Sequence, residues 1–252
     1  MPVEWLLVWT LTGLRALGVV MLLPVPGGKV LPAMLRVACA FMFPTLLAGI
    51  IPHAPMPEPP GWPWLAEAAV REMVLGLALG FVGRLVFAGA ELAGRLIANE
   101  LGLVAAPGFD VPTPSQEPLP AFIGSFAGLM FFLMGGHEGA LAAFVRSFDF
   151  APAGAARFSV LAGETLTICT AQVIEFGMRM AAPFIALNFV ISLAFSILGR
   201  AVPRMNVFII SYPVRTLVGL SLLAGAGGLF GRYLWRAMDA LPWTMLELVG
   251  RN

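Results

Sequence analysis

An all-α integral membrane protein is the fold class this sequence predicts, and three observations carry the prediction. Of 252 residues, 59% are hydrophobic and 12% charged, where a soluble domain averages about 45–50% and about 25%. The apolar residues gather in runs long enough to cross a bilayer, for which about 20 residues suffice. The connections between the runs are short, so residues 1–252 read as a single membrane domain. A disordered chain and a disulfide scaffold are excluded. The net charge of +1 leaves no basic surface for nucleic acid. Cys39 and Cys169 lie in apolar stretches and fit no metal or redox spacing.

Taken in order, the first run, Trp5–Pro24, is interrupted only by Arg15. Ahead of it stand Glu4 and no basic residue, and no small-x-small site closes it, so it reads as a retained segment and not a signal peptide. The second, Val37–Pro57, holds no charge and runs into the proline-rich turn His53–Pro63. Trp64–Leu101 exceeds the length of one span and carries several charges. Gly102–Pro120, with five prolines and two glycines, predicts irregular backbone. Pro118–His137 is uncharged, and Asp149–Gly154 is a break. Met180–Gly199 is the cleanest run, and Gly199–Pro203 is another break. Asn206 reads as the N-cap of a last apolar stretch built from Val207–Val214 and Thr216–Gly231. The sum is about six membrane-depth segments. Basic residues fall on both sides of a simple up-and-down arrangement (Lys29 and Arg36; Arg146 and Arg157; Arg200, Arg204 and Arg215; Arg232, Arg236 and Arg251), so charge bias assigns no orientation.

The third segment is the informative one. On a helix at about 100° per residue, Arg84, Glu91 and Arg95 share one face, continued by Ala98 and Gly102. A charge facing lipid at a helix centre costs about 2.5–3.5 kcal/mol. That face is therefore expected to meet protein or water. Glu67–Arg71, Glu91–Arg95 and Glu175–Arg179 have the spacing of i,i+4 ion pairs; snorkelling from helix ends is the alternative for Arg71 and Arg179. Gly76-xxx-Gly80 and Ala90-xxx-Gly94-xxx-Ala98-xxx-Gly102 predict close approach of neighbouring backbones.

Enzymatic chemistry finds no support: no nucleophile elbow, metalloprotease helix or Walker loop is present. No catalytic, cofactor-binding or metal-ligating residue is assigned. Ala224–Gly231 is glycine-rich but follows no strand, and close helix packing is its expected use. His137 with Glu138 allows a proton relay in principle; packing at the turn after Gly135-Gly136 is the preferred reading.

Gly199-Arg-Ala-Val-Pro-Arg-Met-Asn-Val-Phe-Ile-Ile-Ser-Tyr-Pro213 resembles the Arg-x-x-Pro-x-x-Asn-x-Phe-x-x-x-x-Pro segment of the FliR family, the flagellar export-gate proteins whose injectisome counterpart is SctT. Its family-motif positions here are Arg200, Pro203, Asn206, Phe208 and Pro213. The likeness continues in Arg15, Pro24, Pro32 and Arg36, in Glu72–Gly76 through Ala93-Gly94 to Leu101-Gly102-Leu103, in Gly136-His137 with Ser147-Phe148 and Pro152, and in Pro183. Ser211-Tyr-Pro-Val-Arg-Thr is closer to the flagellar branch than to the injectisome branch, which more often has Lys and Ser where Arg215 and Thr216 stand.

The resemblance implies an export-gate architecture of helical hairpins standing partly above the bilayer of the bacterial inner membrane, at the flagellar basal body. It implies FliP-like and FliQ-like partners around a pore, with FlhB-like and FlhA-like export proteins, and unfolded substrates in transit. It needs no cofactor. It also implies that Gly102–Pro120 supplies a plug, with Gly102, Phe109, Asp110 and Pro112 as its residues and Phe109 as apolar stopper. Thr113–Pro120 is richer in proline than the family pattern. An injectisome subunit is the alternative. A secondary transporter using Arg84, Glu91, Arg95 and Asn188 is a further one, without two-fold internal symmetry to support it.

Overall fold

The computed structural model describes residues 2–22, 32–55, 61–103, 118–157, 160–202 and 206–250. Eight helices follow one another: α1 (Pro2–Leu22), α2 (Ala33–Leu47), α3 (Trp62–Glu100), α4 (Pro118–Leu133), α5 (Gly136–Phe150), α6 (Val160–Ala201), α7 (Val207–Gly225) and α8 (Gly227–Gly250). The protein is all-α, as expected. Among the described residues, β-type pairing is confined to one bridge between His53 and Ala153, which joins the ends of α2 and α5.

Three helices are long and apolar enough to cross a membrane unbroken: Val3–Leu22, Trp62–Glu100 and Gly163–Ala201. Two bent pairs reach the same length and apolarity only together, α4 with α5 at 68° and Ile209–Gly225 with α8 at 57°, each a broken span or a re-entrant loop. The expected six segments thus become three straight and two bent, because the helix of the second run, α2, is too short to cross and two runs end in sharp bends. Gly135, at φ +72° in the left-handed region, ends the fourth run two residues before His137. Ala226 ends the last run. Within this chain the glycines around it pack against nothing: a Cβ at Gly225, Gly227, Gly228 or Gly231 would meet nothing within 4 Å. They accompany a bend. The second run is also shorter than expected, since α2 stops at Leu47 in a turn ahead of Pro52.

α3 is the axis of the fold, packed by α1, α4, α6 and α8, while α5 lies on α8 and α7 on α6. Its 39 residues make about 58 Å of helix at about 1.5 Å each. The 42 residues of α6 make about 63 Å. Each is about twice the thickness of a hydrocarbon core. The small residues of α3 do what their spacing predicts. A Cβ on Gly80 would lie 2.7 Å from Val19 O and one on Gly94 2.6 Å from Pro120 Cα, so α1 and α4 touch α3 backbone to backbone. On α1, Gly18 answers the same crossing, 2.6 Å from Leu77 N.

That crossing brings a buried ion pair together. Arg15 and Glu72 are both fully buried, with Nε 2.6 Å from Oε2. Gly76 stands one turn after Glu72, and a side chain there would collide with the Arg15 backbone. The other two guanidinium nitrogens also have partners: Nη1 donates to Ser147 Oγ at 3.0 Å and Nη2 to Ala151 O at 2.8 Å. The guanidinium lies 3.9 Å from the Phe148 ring centroid, close enough for a cation–π contact. Gly154 N donates to the second Glu72 oxygen at 2.8 Å. One cluster therefore ties α1, α3, α5 and the segment after α5.

Removing one member leaves a bare charge in the core. Glu72→Ala or Arg15→Ala is expected to destabilise by about 3–5 kcal/mol, read as a lowered thermal midpoint in detergent. The double variant should cost less than the two single losses added.

Candidate functional site

The end of α3 is where the structure concentrates its polar chemistry outside that cluster. The helix closes in a Schellman motif: Leu103 N donates to Ala98 O at 2.8 Å and Gly102 N to Asn99 O at 3.1 Å. Gly102 takes φ +71°, a conformation that disfavours side chains. The carbonyls of Leu101 and Gly102 still need partners, as the last carbonyls of any helix do. They find them on α7. Tyr212 donates its hydroxyl to Gly102 O, and Thr216, one turn on, donates to Leu101 O at 2.9 Å. The Tyr212 ring fills the place of a Gly102 side chain, with Cε2 2.7 Å from where a Cβ would be. Leu101 is buried and seats on Gly219, whose Cβ would lie 2.5 Å from its Cγ.

Beside this contact runs a polar chain. Asn188 on α6 donates to Glu100, Ser192 donates to Asn188 O at 2.7 Å, and Arg215 donates to Ser192 Oγ at 3.0 Å. Asn188 Oδ1 and Arg215 Nε are buried without a hydrogen-bond partner. The cluster has capacity to spare. Asn188 and Arg215 thus belong to the anchorage of α3 on α6 and α7.

The predicted loop Gly102–Pro120 is shorter at its far end than expected. Pro118, Leu119 and Pro120 form the first turn of α4, where prolines cost little, and Pro120 lies against Gly94. Phe109, Asp110 and Pro112 lie outside the described residues.

Arg84 and Arg95 are exposed in this chain and Glu91 is half-buried. The chain's own fold does not cover them. No ion pair joins Glu91 to Arg95 among the described residues, whereas Glu67–Arg71 and Glu175–Arg179 do pair. The Glu91 side chain lies instead against Gly124 of α4, with Cγ 3.3 Å from the position of a Cβ there.

Of the motif residues, Asn206 caps α7 as expected, its side chain accepting from Ile209 N at 3.4 Å. Phe208 lies in the first turn of α7, Pro213 within that helix, and Arg200 in the last turn of α6; Pro203 lies outside the described residues. Gly136 opens α5 and is crowded by the Phe131 ring, 2.8 Å from Cε2 to a Cβ position. His137 packs on Phe132, ring centroids 5.1 Å apart. Sequence reasoning placed Arg15, Glu72, Ser147, Phe148 and Pro152 only by resemblance. Their meeting was not read from spacing, because 132 positions separate Arg15 from Ser147.

A groove of about 340 Å³ between α3, α6 and α8 is lined by Gln172, Glu175, Arg179, Tyr233, Arg236 and Thr244 beside Cys169 and apolar residues. Arg179 there is already paired with Glu175 at 2.5 Å.

Long apolar helices, a buried charge cluster and glycine-lined crossings define an all-α membrane protein. Residues 6–241 match the family model described as "Bacterial export proteins, family 1", and the chain belongs to that family. It is 28% identical to the flagellar biosynthetic protein FliR of Escherichia coli over 88% of this chain and 84% of that one. It is 29% identical to FliR of Caulobacter vibrioides over 83% of this chain and 84% of that one. The secretion system apparatus protein SsaT of Salmonella typhimurium is 25% identical over 87% of this chain and 86% of its own.

Gly102→Ala puts a side chain into both the left-handed backbone region and the Tyr212 ring. It is expected to cost about 1–3 kcal/mol, measured by thermal unfolding of the purified chain against wild type.

Proposed function

We propose that this chain is a subunit of the flagellar type III protein export gate in the bacterial inner membrane. The observation that carries the reading is the family match over residues 6–241, with FliR of two distant bacteria similar over most of the chain. The protein is a multi-pass conduit subunit of the basal body. It acts with FliP-like and FliQ-like subunits, and with FlhB-like and FlhA-like export proteins. Unfolded flagellar substrates pass through the assembled pore, driven by energy supplied elsewhere. The subunit performs no catalysis itself.

Two features support a place inside an assembly. α3 and α6 are each about twice as long as a bilayer core is thick, so part of each extends beyond it unless steeply tilted. Arg84, Glu91 and Arg95 lie on a face that the chain leaves open or half-covered; a sister subunit or a wet central duct would spare them contact with lipid. The loop between α3 and α4 serves as the plug, with Phe109 as apolar stopper. The likeness to SsaT supports an injectisome role as the second reading.

Co-expression with FliP-like and FliQ-like subunits is expected to yield one co-purifying complex, and a chain that purifies as a stable lone monomer beside them would overturn the assignment. Deleting the gene is expected to abolish flagella and swimming. Cells that swim normally but lose injectisome secretion would establish the second reading instead. Shortening residues 104–117, or Phe109→Ala, should raise ion leak across the inner membrane in cells holding the assembled gate.

A further inference from the structure

We propose that the groove between α3, α6 and α8 binds an anionic phospholipid, whose phosphate is held by Arg236 and Tyr233 while one acyl chain lies along the groove floor. Such a site is independent of which export system the chain serves. Phe184 of α6 meets Phe230 of α8, ring centroids 6.2 Å apart. The groove lies before Phe184 and after Phe230, so the two helices run antiparallel along it. Tyr233 and Arg236 therefore stand at its Arg179 end, and Thr244 at its Gln172 end. From residue 172 to residue 179 the α6 wall extends roughly 10 Å, at about 1.5 Å per residue. Ala237 and Ala240 keep the α8 wall low, and Leu85, Val86, Phe176 and Leu241 make the lining apolar.

One end of this trough carries an unbalanced charge. Arg179 and Glu175 answer each other, which leaves Arg236 as the remaining charge of the lining, without a counter-ion among the described residues. Tyr233 and Gln172 likewise have no hydrogen-bond partner among the described residues. Asp239, three residues after Arg236, lines a separate recess beside Gly135 and Gly139. The Thr244 hydroxyl is spent on Ala240 O at 3.0 Å. Free donors at one end of an apolar trough fit an amphiphile with an anionic head. A free anion would leave the floor wet, and a plain hydrocarbon would leave the arginine unused. Phosphate accepts strongly from a guanidinium, and basic recesses between membrane helices suit anionic headgroups. At about 340 Å³ the groove is at the lower end of ligand pockets, which run about 300–1,000 Å³, so it receives part of a lipid and leaves the rest in the bilayer. Two of its walls, α3 and α6, are long and apolar enough to cross a membrane, which gives bilayer lipid access.

The test uses the full chain as it purifies from membranes in an uncharged detergent, with native mass spectrometry and thermal unfolding as readouts. Phosphatidylglycerol and phosphatidylcholine are the added lipids. Wild type is expected to retain a co-purified anionic lipid, and to gain a few degrees in thermal midpoint from phosphatidylglycerol but not from phosphatidylcholine. Arg236→Gln should lose the retained lipid and respond several-fold less, whereas Arg236→Lys should keep most of both. Arg232→Gln, one turn earlier and outside the groove, should behave as wild type. Ala240→Phe, which fills the trough without changing charge, should lose the lipid as Arg236→Gln does. An equal response to the two lipids overturns the site, as does a phosphatidylglycerol shift that survives Arg236→Gln. A wild-type chain that neither retains lipid nor responds to it overturns the site too. So does a photo-reactive residue at position 240 that, in the assembled gate, joins a neighbouring subunit and no lipid, since the groove is then a protein interface.

Discussion

Everything in this fold hangs on the burial of Arg15 against Glu72. Taking two full charges out of water is costly, and the cost is met only when every donor and acceptor is answered. Here all three guanidinium nitrogens and both carboxylate oxygens have partners. That requirement reaches outward. It dictates that α1 cross α3 where Gly76 leaves room, that α5 present Ser147 and Phe148 to the same point, and that the chain after α5 turn back with Ala151 and Gly154 facing inward. The pair is thus less a source of net stability than a statement of register. A slip of one residue along α3 would move Glu72 round the helix by about 100° and strand both charges.

The exposed half of the molecule's character lies on α6 and α7. Only 17% of the most apolar stretch of α6 is buried inside the chain, against 56% of that of α3. Large apolar side chains such as Phe189, Ile197, Ile209 and Leu217 stand open on α6 and α7. On helices about twice as long as the hydrocarbon is thick, lipid can cover only part of such a surface at ordinary tilt. A subunit made to be completed by neighbours accounts for both the length and the exposure.

Polar groups in the molecule divide into two kinds. Those of the Arg15 cluster have a partner at every guanidinium nitrogen and carboxylate oxygen, and they lock helices together. Those at the end of α3 are more numerous, partly unanswered and grouped at the exit of a loop.

By itself the sequence determined the class, the long third helix, the breaks near Gly135 and Gly199, the cap at Asn206 and the small-residue faces of α3. Each depends on local periodicity, capping chemistry or composition, which neighbours in sequence specify. It misplaced the use of the glycines at 225–231 and expected a Glu91–Arg95 pair, since spacing on one helix does not say which way a side chain turns when another helix lies beside it. Only the tertiary structure decided that Arg15 belongs with Glu72, Ser147 and Ala151, and that Tyr212 and Thr216 belong with Gly102 and Leu101. Those partners are brought together by the approach of backbones across glycines, and hydrogen bonds over such sequence distances leave no periodic trace along the chain.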